Sequence, residues 1–343
     1  MNEIGIRAKK VLHAVVCEYL DTGEAVGSQT VVRRYALDIS SATVRSVMGE
    51  LEEMGLLRHP HTSAGRIPTD RGLRLYVDSL LRIRSLSAPE KEQIRGRIGP
   101  PTETQEVMHR VSRLLRELSH LAVVVETPRL ESDPISHIEF VRLREGQLLA
   151  VIATTSGQIQ NKLVHTEVTL SHSDLDRINN YLNSLVAGLT LEKMRARVLL
   201  EIERERALSA RDPMLAQALG LAAAAVPEAD SVGKIFVDGQ ANLVAEAADL
   251  ERARSVLRTL EEKDQIARLL DRTLNAPGIC VFIGAEASLA NLDDISVVAT
   301  SYGSEDHPLG TIGVIGPSRM NYSKVIPLVD FTADVITEML PRI

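Results

Sequence analysis

Arg45 lies in the string Ser41-Ala42-Thr43-Val44-Arg45-Ser46, and a second arginine-flanked string, Arg58-His59-Pro60-His61-Thr62-Ser63-Ala64-Gly65-Arg66, follows shortly after. A guanidinium near the start of a helix can fork onto O6 and N7 of guanine, worth about 1–3 kcal/mol of discrimination against a wrong base. Its predicted neighbours on the free helix face, Ser41, Thr43, Ser46 and Gly49, are small or polar, while the acids Glu50, Glu52 and Glu53 come in the second half. That order keeps negative charge away from the end that must approach phosphates. In the second string, small hydroxyls, a glycine and flanking arginines supply N–H, O–H and positive charge of the kind that grips sugar–phosphate. An Arg or His at its tip suits a minor groove. Ser28, Arg33 and Arg34 before these strings, and Arg71 and Arg74 after them, are further contact candidates. The predicted chemistry is recognition of double-stranded DNA.

Other chemistries find less support. His59-Pro60-His61 has no nearby Cys or carboxylate to complete a metal site and reads as loop. Gly310-Thr311-Ile312-Gly313-Val314-Ile315-Gly316 has GxxGxxG spacing, not the GxGxxG of a dinucleotide loop, and fits a strand running into a turn. Asp293-Asp294 are adjacent, so their side chains diverge, and a loop or cap role fits them. No Ser-His-Asp or Cys-His constellation has local context. The reading is a non-enzymatic protein with no cofactor and no metal. A rival, an enzyme with an appended DNA-binding segment, would require a pocket of convergent polar groups.

The elements that must position Arg45 are legible in the apolar periodicity. Val11, Leu12, Val15, Val16, Tyr19 and Leu20 form the stripe of a helix over about 6–20, stopped by Thr22-Gly23. Ser28 caps a second short helix with Val31, Val32 and Tyr35 inward. Ser40-Ser41 cap a third, whose Val44, Val47, Met48 and Leu51 share one face. Leu56–His59 and Arg66-Ile67 then predict a short hairpin, and Thr69 caps a helix from Asp70 to about Arg84. Three short helices followed by a hairpin are the layout of a winged helix-turn-helix. The pattern alone leaves open a protein-binding module of the same shape.

At 343 residues the chain exceeds one core, with 44% hydrophobic and 25% charged residues. Net charge is −7, but residues 1–85 hold 12 Lys/Arg against 10 Asp/Glu, whereas the remainder holds 27 against 36. A mildly basic N-terminal unit on an acidic body suits binding by contact geometry, not by a broad basic field. Cys17 and Cys280 read as two buried thiols. Met1 to Lys10 is polar, unlike a signal peptide, and no apolar run approaches the roughly 20 residues of a membrane span, so a cytoplasmic location is expected.

Beyond a linker at 86–104 the chain reads as helix 103–119, strands 121–126, 138–144, 148–154 and 159–164, then helices 174–189, 191–208 and 213–225. A strand pair, 234–237 and 242–245, turns at Asp238-Gly239. Helices 250–260 and 264–274, strands 279–284, 295–302 and 310–315, and a helix 321–340 complete it. Strands, helices and strands again predict an α+β domain interrupted by an insertion.

The strings Ala25-Val26-Gly27-Ser28-Gln29-Thr30, Ser41-Ala42-Thr43-Val44-Arg45, Leu51-Glu52-Glu53-Met54-Gly55-Leu56, His61 to Gly72 and Ile315 to Ser323 closely resemble the HrcA family of bacterial heat-inducible transcription repressors. The resemblance implies a winged helix-turn-helix DNA-binding domain (1–85), a GAF-like domain (105–188 and 262–343) and an inserted dimerising domain (189–261). It implies a homodimer on an inverted-repeat operator, CIRCE, upstream of chaperone genes, released on heat stress, with the GroEL chaperonin as modulator. Two positions depart from the family's usual pattern: Ser46 stands where Asn is frequent, and Leu73 where an aromatic follows the glycine. The dimer surface is expected on the apolar stripe Met214, Leu215, Leu219, Leu221 and Val226. A ligand-gated regulator, with a small molecule in the GAF-like domain, is the alternative.

Overall fold

The computed structural model describes residues 4–60, 65–99, 104–129, 133–166, 168, 170–207, 213–225, 234–245, 250–289, 294–304 and 307–340. Helix α1 (Ile6–Thr22) buries Val11, Leu12, Val15 and Val16 and ends at Gly23, whose φ of 72° is left-handed and whose N–H returns to the Tyr19 carbonyl at 2.8 Å. Helix α2 (Ser28–Tyr35) is preceded by Gly27 at the cap position, so Ser28 is its first helical residue and not its cap. Helix α3 (Ser41–Glu53) is capped by Ser40, whose Oγ accepts the Thr43 N–H at 3.1 Å, and it buries Val44, Val47, Met48 and Leu51. Strands β1 (Leu57–Arg58) and β2 (Ile67–Pro68) pair antiparallel, Arg58 opposite Ile67. Thr69 caps α4 (Asp70–Leu75) by accepting the Gly72 N–H.

The helix expected to run to Arg84 stops earlier. It passes into a π-helical turn, Tyr76–Leu80, closed by Leu81 N–H on the Tyr76 carbonyl at 2.7 Å. The extra residue per turn lets both buried Tyr76 and the Leu80-Leu81 pair meet the core around α1. The linker, expected to hold some helix, holds one over most of its length. Ser87 and Glu90 form a capping box for α5 (Ala88–Ile98), which buries Ile94 and Ile98 and packs with α6 (Thr104–Ser119).

The body is a five-stranded antiparallel sheet in the order β7-β3-β10-β9-β8, from β3 (Ala122–Glu126), β7 (Ile235–Asp238), β8 (Cys280–Ile283), β9 (Ile295–Ser304) and β10 (His307–Pro317). Strand alternation sends its two faces into different cores. Val123, Val125, Val298, Ile312 and Val314 join α6 and α13 (Tyr322–Met339). Ala122, Val124, Val297, Ala299 and Ile315 join α10 (Gln240–Ala245), α11 (Leu250–Glu261) and α12 (Lys263–Leu274). The first core also contains the buried residues of α1 and α3, so the N-terminal unit is continuous with the body. The Gly-rich segment lies within β10, where a Cβ on Gly310 would meet the Tyr302 hydroxyl at 2.5 Å, so close packing explains that glycine.

A second unit leaves this sheet after β3. Strands β4 (Ile135–Arg144), β5 (Gln147–Thr154) and β6 (Ile159–His165) form a separate meander, covered on one face by α7 (His172–Val186), α8 (Leu191–Ala207) and α9 (Pro213–Ala225) around their own core. Asn179 and Asn183, one turn apart on α7, each exchange two hydrogen bonds with the free edge of β4, at Phe140 and Ile138. The excursion departs at Thr127 and returns at Lys234, where Thr127 N–H donates to the Lys234 carbonyl and Lys234 N–H to the Thr127 hydroxyl, both 2.9 Å.

These pairings differ from the expected insertion at 189–261. The strands 135–165 belong with the inserted helices, while 235–261 returns to the main sheet, because β7 completes the edge beside β3. The expected second strand at 242–245 is helix α10, begun after Gly239 at φ 79°. The predicted dimer stripe is largely internal: Leu219 is 0% exposed, Leu221 is buried, and Met214 and Leu215 are half-buried against the same core, since α9 packs between α7, α8 and β6. Val226 lies outside the described residues. Among the described residues no helix is long and apolar enough to cross a membrane.

Candidate nucleic-acid interface

Burial of Val44, Val47, Met48 and Leu51 leaves the opposite side of α3 to solvent. Arg45 and Ser46 are exposed there, with Ser41 and Thr43 half-exposed one turn earlier. The Thr43 hydroxyl lies 2.9 Å from Ser40 Oγ and shares the cap with it. Arg45 makes no ion pair or hydrogen bond, nor do Arg33 on α2 and Arg58 on β1, all three exposed. An exposed arginine without a protein partner retains all five donors for a ligand.

The hairpin is held at a defined angle to α3. Arg66 donates across to Glu52 of α3 at 2.8 Å and lies 3.0 Å from His59 Nδ1, while His59 Nε2 is 3.7 Å from the same carboxylate. Arg66 also forms a two-bond bridge with Val26 in the loop before α2, its N–H and carbonyl at 3.0 and 2.9 Å. That third short strand requires Gly65: its φ is 95°, and a Cβ there would sit 2.8 Å from the Val26 carbonyl oxygen. Gly72 is required for a similar reason, since a Cβ would meet the Leu56 carbonyl oxygen at 2.1 Å. Glu52 therefore positions the hairpin; the sequence marked it only as an acid on the rear of the helix, and nothing local connects it to a residue in the next element.

The remaining candidates divide. Arg34 pairs with buried Glu18 at 2.9 Å. Arg71 is exposed and donates to the Met54 carbonyl at 3.2 Å, tying α4 to the end of α3. Arg74 does not face outward with them. It spans to the body, binding Glu286 through two nitrogens, the Val281 carbonyl and Asp78. Burial alone would raise the Glu286 carboxyl, but the hydrogen bonds from Arg74 and the Ile283 amide and the charges of Arg74 and Arg272 outweigh it and hold the group below its usual value. Ser28 is buried at the start of α2. His61, Thr62 and Ser63 lie outside the described residues. Arg45, Ser46, Arg33, Arg58, Arg71 and Gly65 thus remain on or beside the α3 face, whereas Arg74 and Ser28 turn inward and Arg34 and Arg66 are engaged. Among the described residues no group of three His, Cys, Asp or Glu could hold a metal ion.

Comparison with known proteins agrees over nearly the whole chain. The family profile "HrcA protein C terminal domain" matches residues 105–326. The chain is 43% identical to the "Heat-inducible transcription repressor HrcA" of Geobacter sulfurreducens, covering 99% of each chain. It is 40% identical to the protein of that name from Syntrophobacter fumaroxidans, over 99% of this chain and 98% of the relative. Among solved structures, a crystal structure of a hypothetical protein is 26% identical and aligns over 98% of this chain and 99% of its own, with a TM-score of 0.64. The relatives are named as transcription repressors, not enzymes.

Proposed function

The chain belongs to the HrcA family, and from that premise we propose that it is a heat-inducible transcription repressor that binds an inverted-repeat operator as a homodimer. The N-terminal unit acts as a winged helix-turn-helix. Arg45 reads a base edge in the major groove from the first half of α3, with Ser41, Thr43 and Ser46 beside it. Arg33, Arg58, Arg71 and the Gly65 backbone meet phosphates. Arg66 acts chiefly by fixing the hairpin to Glu52. The observation that carries the reading is that Arg45 projects, exposed and unpaired, from a helix whose other face is fully buried, next to a hairpin bolted to that same helix.

A two-fold protein doubles the readout of one short helix and matches a palindromic site. The dimer surface assigned to this function is the outer face of the β4–β6 sheet. Register places Val141, Leu149 and Leu163 in one row, with Ala153 and Ile159 in another, and Val151 lies between them. Val141, Leu163 and Ile159 on this side are 41%, 52% and 72% exposed. His137, Glu139 and Asn161 share the face, and its exposed aliphatic rows are of the kind that interfaces cover. The five-stranded body takes the role of the GAF-like domain. Family membership extends the proposal to the CIRCE operator of chaperone genes and to the chaperonin GroEL as the factor that keeps the repressor competent.

A gel shift with an inverted-repeat operator against scrambled DNA, at two salt concentrations, tests the reading. The operator is expected to bind about 1,000-fold or more tighter than the scramble, both weakening as salt rises. Equal affinity for the two removes sequence recognition. Thermal melting of operator binding with and without GroEL tests the chaperonin's part.

A further inference from the structure

A groove on the α1 side of the N-terminal unit shares no residue with the α3 face or the hairpin. It is open to solvent and has a volume of about 490 Å³, within the range of small-molecule sites. Three cations converge on it, Lys9 and Lys10 from α1 and Arg82 from just beyond the π-helical turn, and its lining contains no Asp or Glu. Among the described residues none of the three side chains makes an ion pair or hydrogen bond, and all are exposed. Tyr35, Leu37 and Leu80 supply apolar wall beside them. His13 lies half-buried in the lining. Burial and the charge of Arg82 both depress its imidazole, so positive potential reaches into the groove. The π-helical turn is itself an irregularity of the kind often found at functional sites, and here it sets Leu80 and Arg82 together at the groove.

We infer that this groove binds a small amphipathic anion, its carboxylate or phosphate head held by Lys9, Lys10 and Arg82 and its apolar tail against Tyr35, Leu37 and Leu80. Apolar surface explains why the site is not merely a counter-ion patch, and the absence of a lining acid explains why the head must be negative.

Isothermal titration of the full chain with octanoate and with octyl phosphate tests this, octanol and inorganic phosphate serving as controls. At least one amphipathic anion is expected to bind saturably, and the tighter of the two identifies the head group. The triple variant Lys9→Gln, Lys10→Gln, Arg82→Gln should bind it at least ten-fold more weakly at an unchanged melting temperature, and each control should also be at least ten-fold weaker. Absence of saturable binding at millimolar probe, equal binding by the triple variant, or inorganic phosphate matching octyl phosphate overturns the proposal. A parallel gel shift on random DNA separates a competing use of the same cations: a ten-fold loss there in the triple variant assigns them to the DNA backbone and overturns the small-molecule site. The titration needs no operator, so its outcome is independent of sequence recognition by α3.

Discussion

Two surfaces of this molecule lie open and are built from opposite materials. The α3 face presents Arg45 with neighbouring hydroxyls and unpaired Arg33 and Arg58; the outer face of the β4–β6 sheet presents Val141, Leu149, Leu163 and Ile159. Neither arrangement stabilises an isolated chain. Unpaired arginines forgo ion pairs that the same unit makes elsewhere, as Arg34 with Glu18 and Arg66 with Glu52 do. Exposed aliphatics forgo burial worth about 25 cal/mol per Å². The contrast teaches that the proposed function asks opposite chemistry of the two faces, charge complementary to phosphate on one and apolar surface on the other.

The contrast can be broken or sharpened in graded steps. Leu219→Asp puts an unpaired charge in the core of the inserted unit and should cost more than about 4 kcal/mol. Denaturant melting should show that unit unfolded, and a folded Leu219→Asp monomer would restore α9 as the interface. Leu163→Asp changes an exposed residue, so the melting of each subunit should hold while the dimer loosens by about 2 kcal/mol or more. Sedimentation that still finds an undiminished dimer moves the interface off this sheet. Arg45→Ala should lose about 1–3 kcal/mol of discrimination at one defined base pair, with random DNA little affected. Equal loss on both removes Arg45 from the reading role.

Smaller effects probe the supports. Arg66→Ala should cost about 1 kcal/mol of stability by releasing the hairpin from Glu52. Its loss of random-DNA affinity should be less than that of Arg58→Ala; the reverse order would make Arg66 a direct phosphate contact. Glu286→Gln removes the negative charge opposite Arg74 and should lower stability by less than about 1 kcal/mol, the pair being partly exposed. Because the folded Glu286 carboxyl titrates below its ordinary value of 4.5, its contribution is present above that pH and is lost as pH falls through the depressed value. Wild type and variant should therefore differ at neutral pH and converge in acid. A gap that persists once the folded carboxyl is protonated would assign the effect to packing.

Local chemistry was legible where one residue does one job. Ser40 and Thr69 cap as their types demand, Gly23 ends α1, and the buried stripe of α3 already separated Arg45 from the core. What could not be read locally depends on distant partners. Arg74 resembles its neighbour Arg71 in sequence, and only Glu286, far along the chain, turns it inward. Strands β4 to β6 alternate in the same way whichever sheet receives them, so nothing local tells that they form a sheet apart from β3. Leu219 sits in an Ala- and Leu-rich helix apolar on nearly every side, and only the packing of α7 and α8 decides which side is hidden. Asp238-Gly239 suggested a hairpin because glycine with positive φ serves a strand turn and a helix entry equally.

The pairing of β3 with β10 carries a consequence for synthesis. Val125 must wait for Ile312, and the core between α6 and the sheet is closed by side chains of α13. A ribosome therefore leaves β3 without its neighbour β10, and α6 without α13, until residues 307–339 have been made. Slow, late-closing topologies of this kind leave unfinished chains with sticky surfaces.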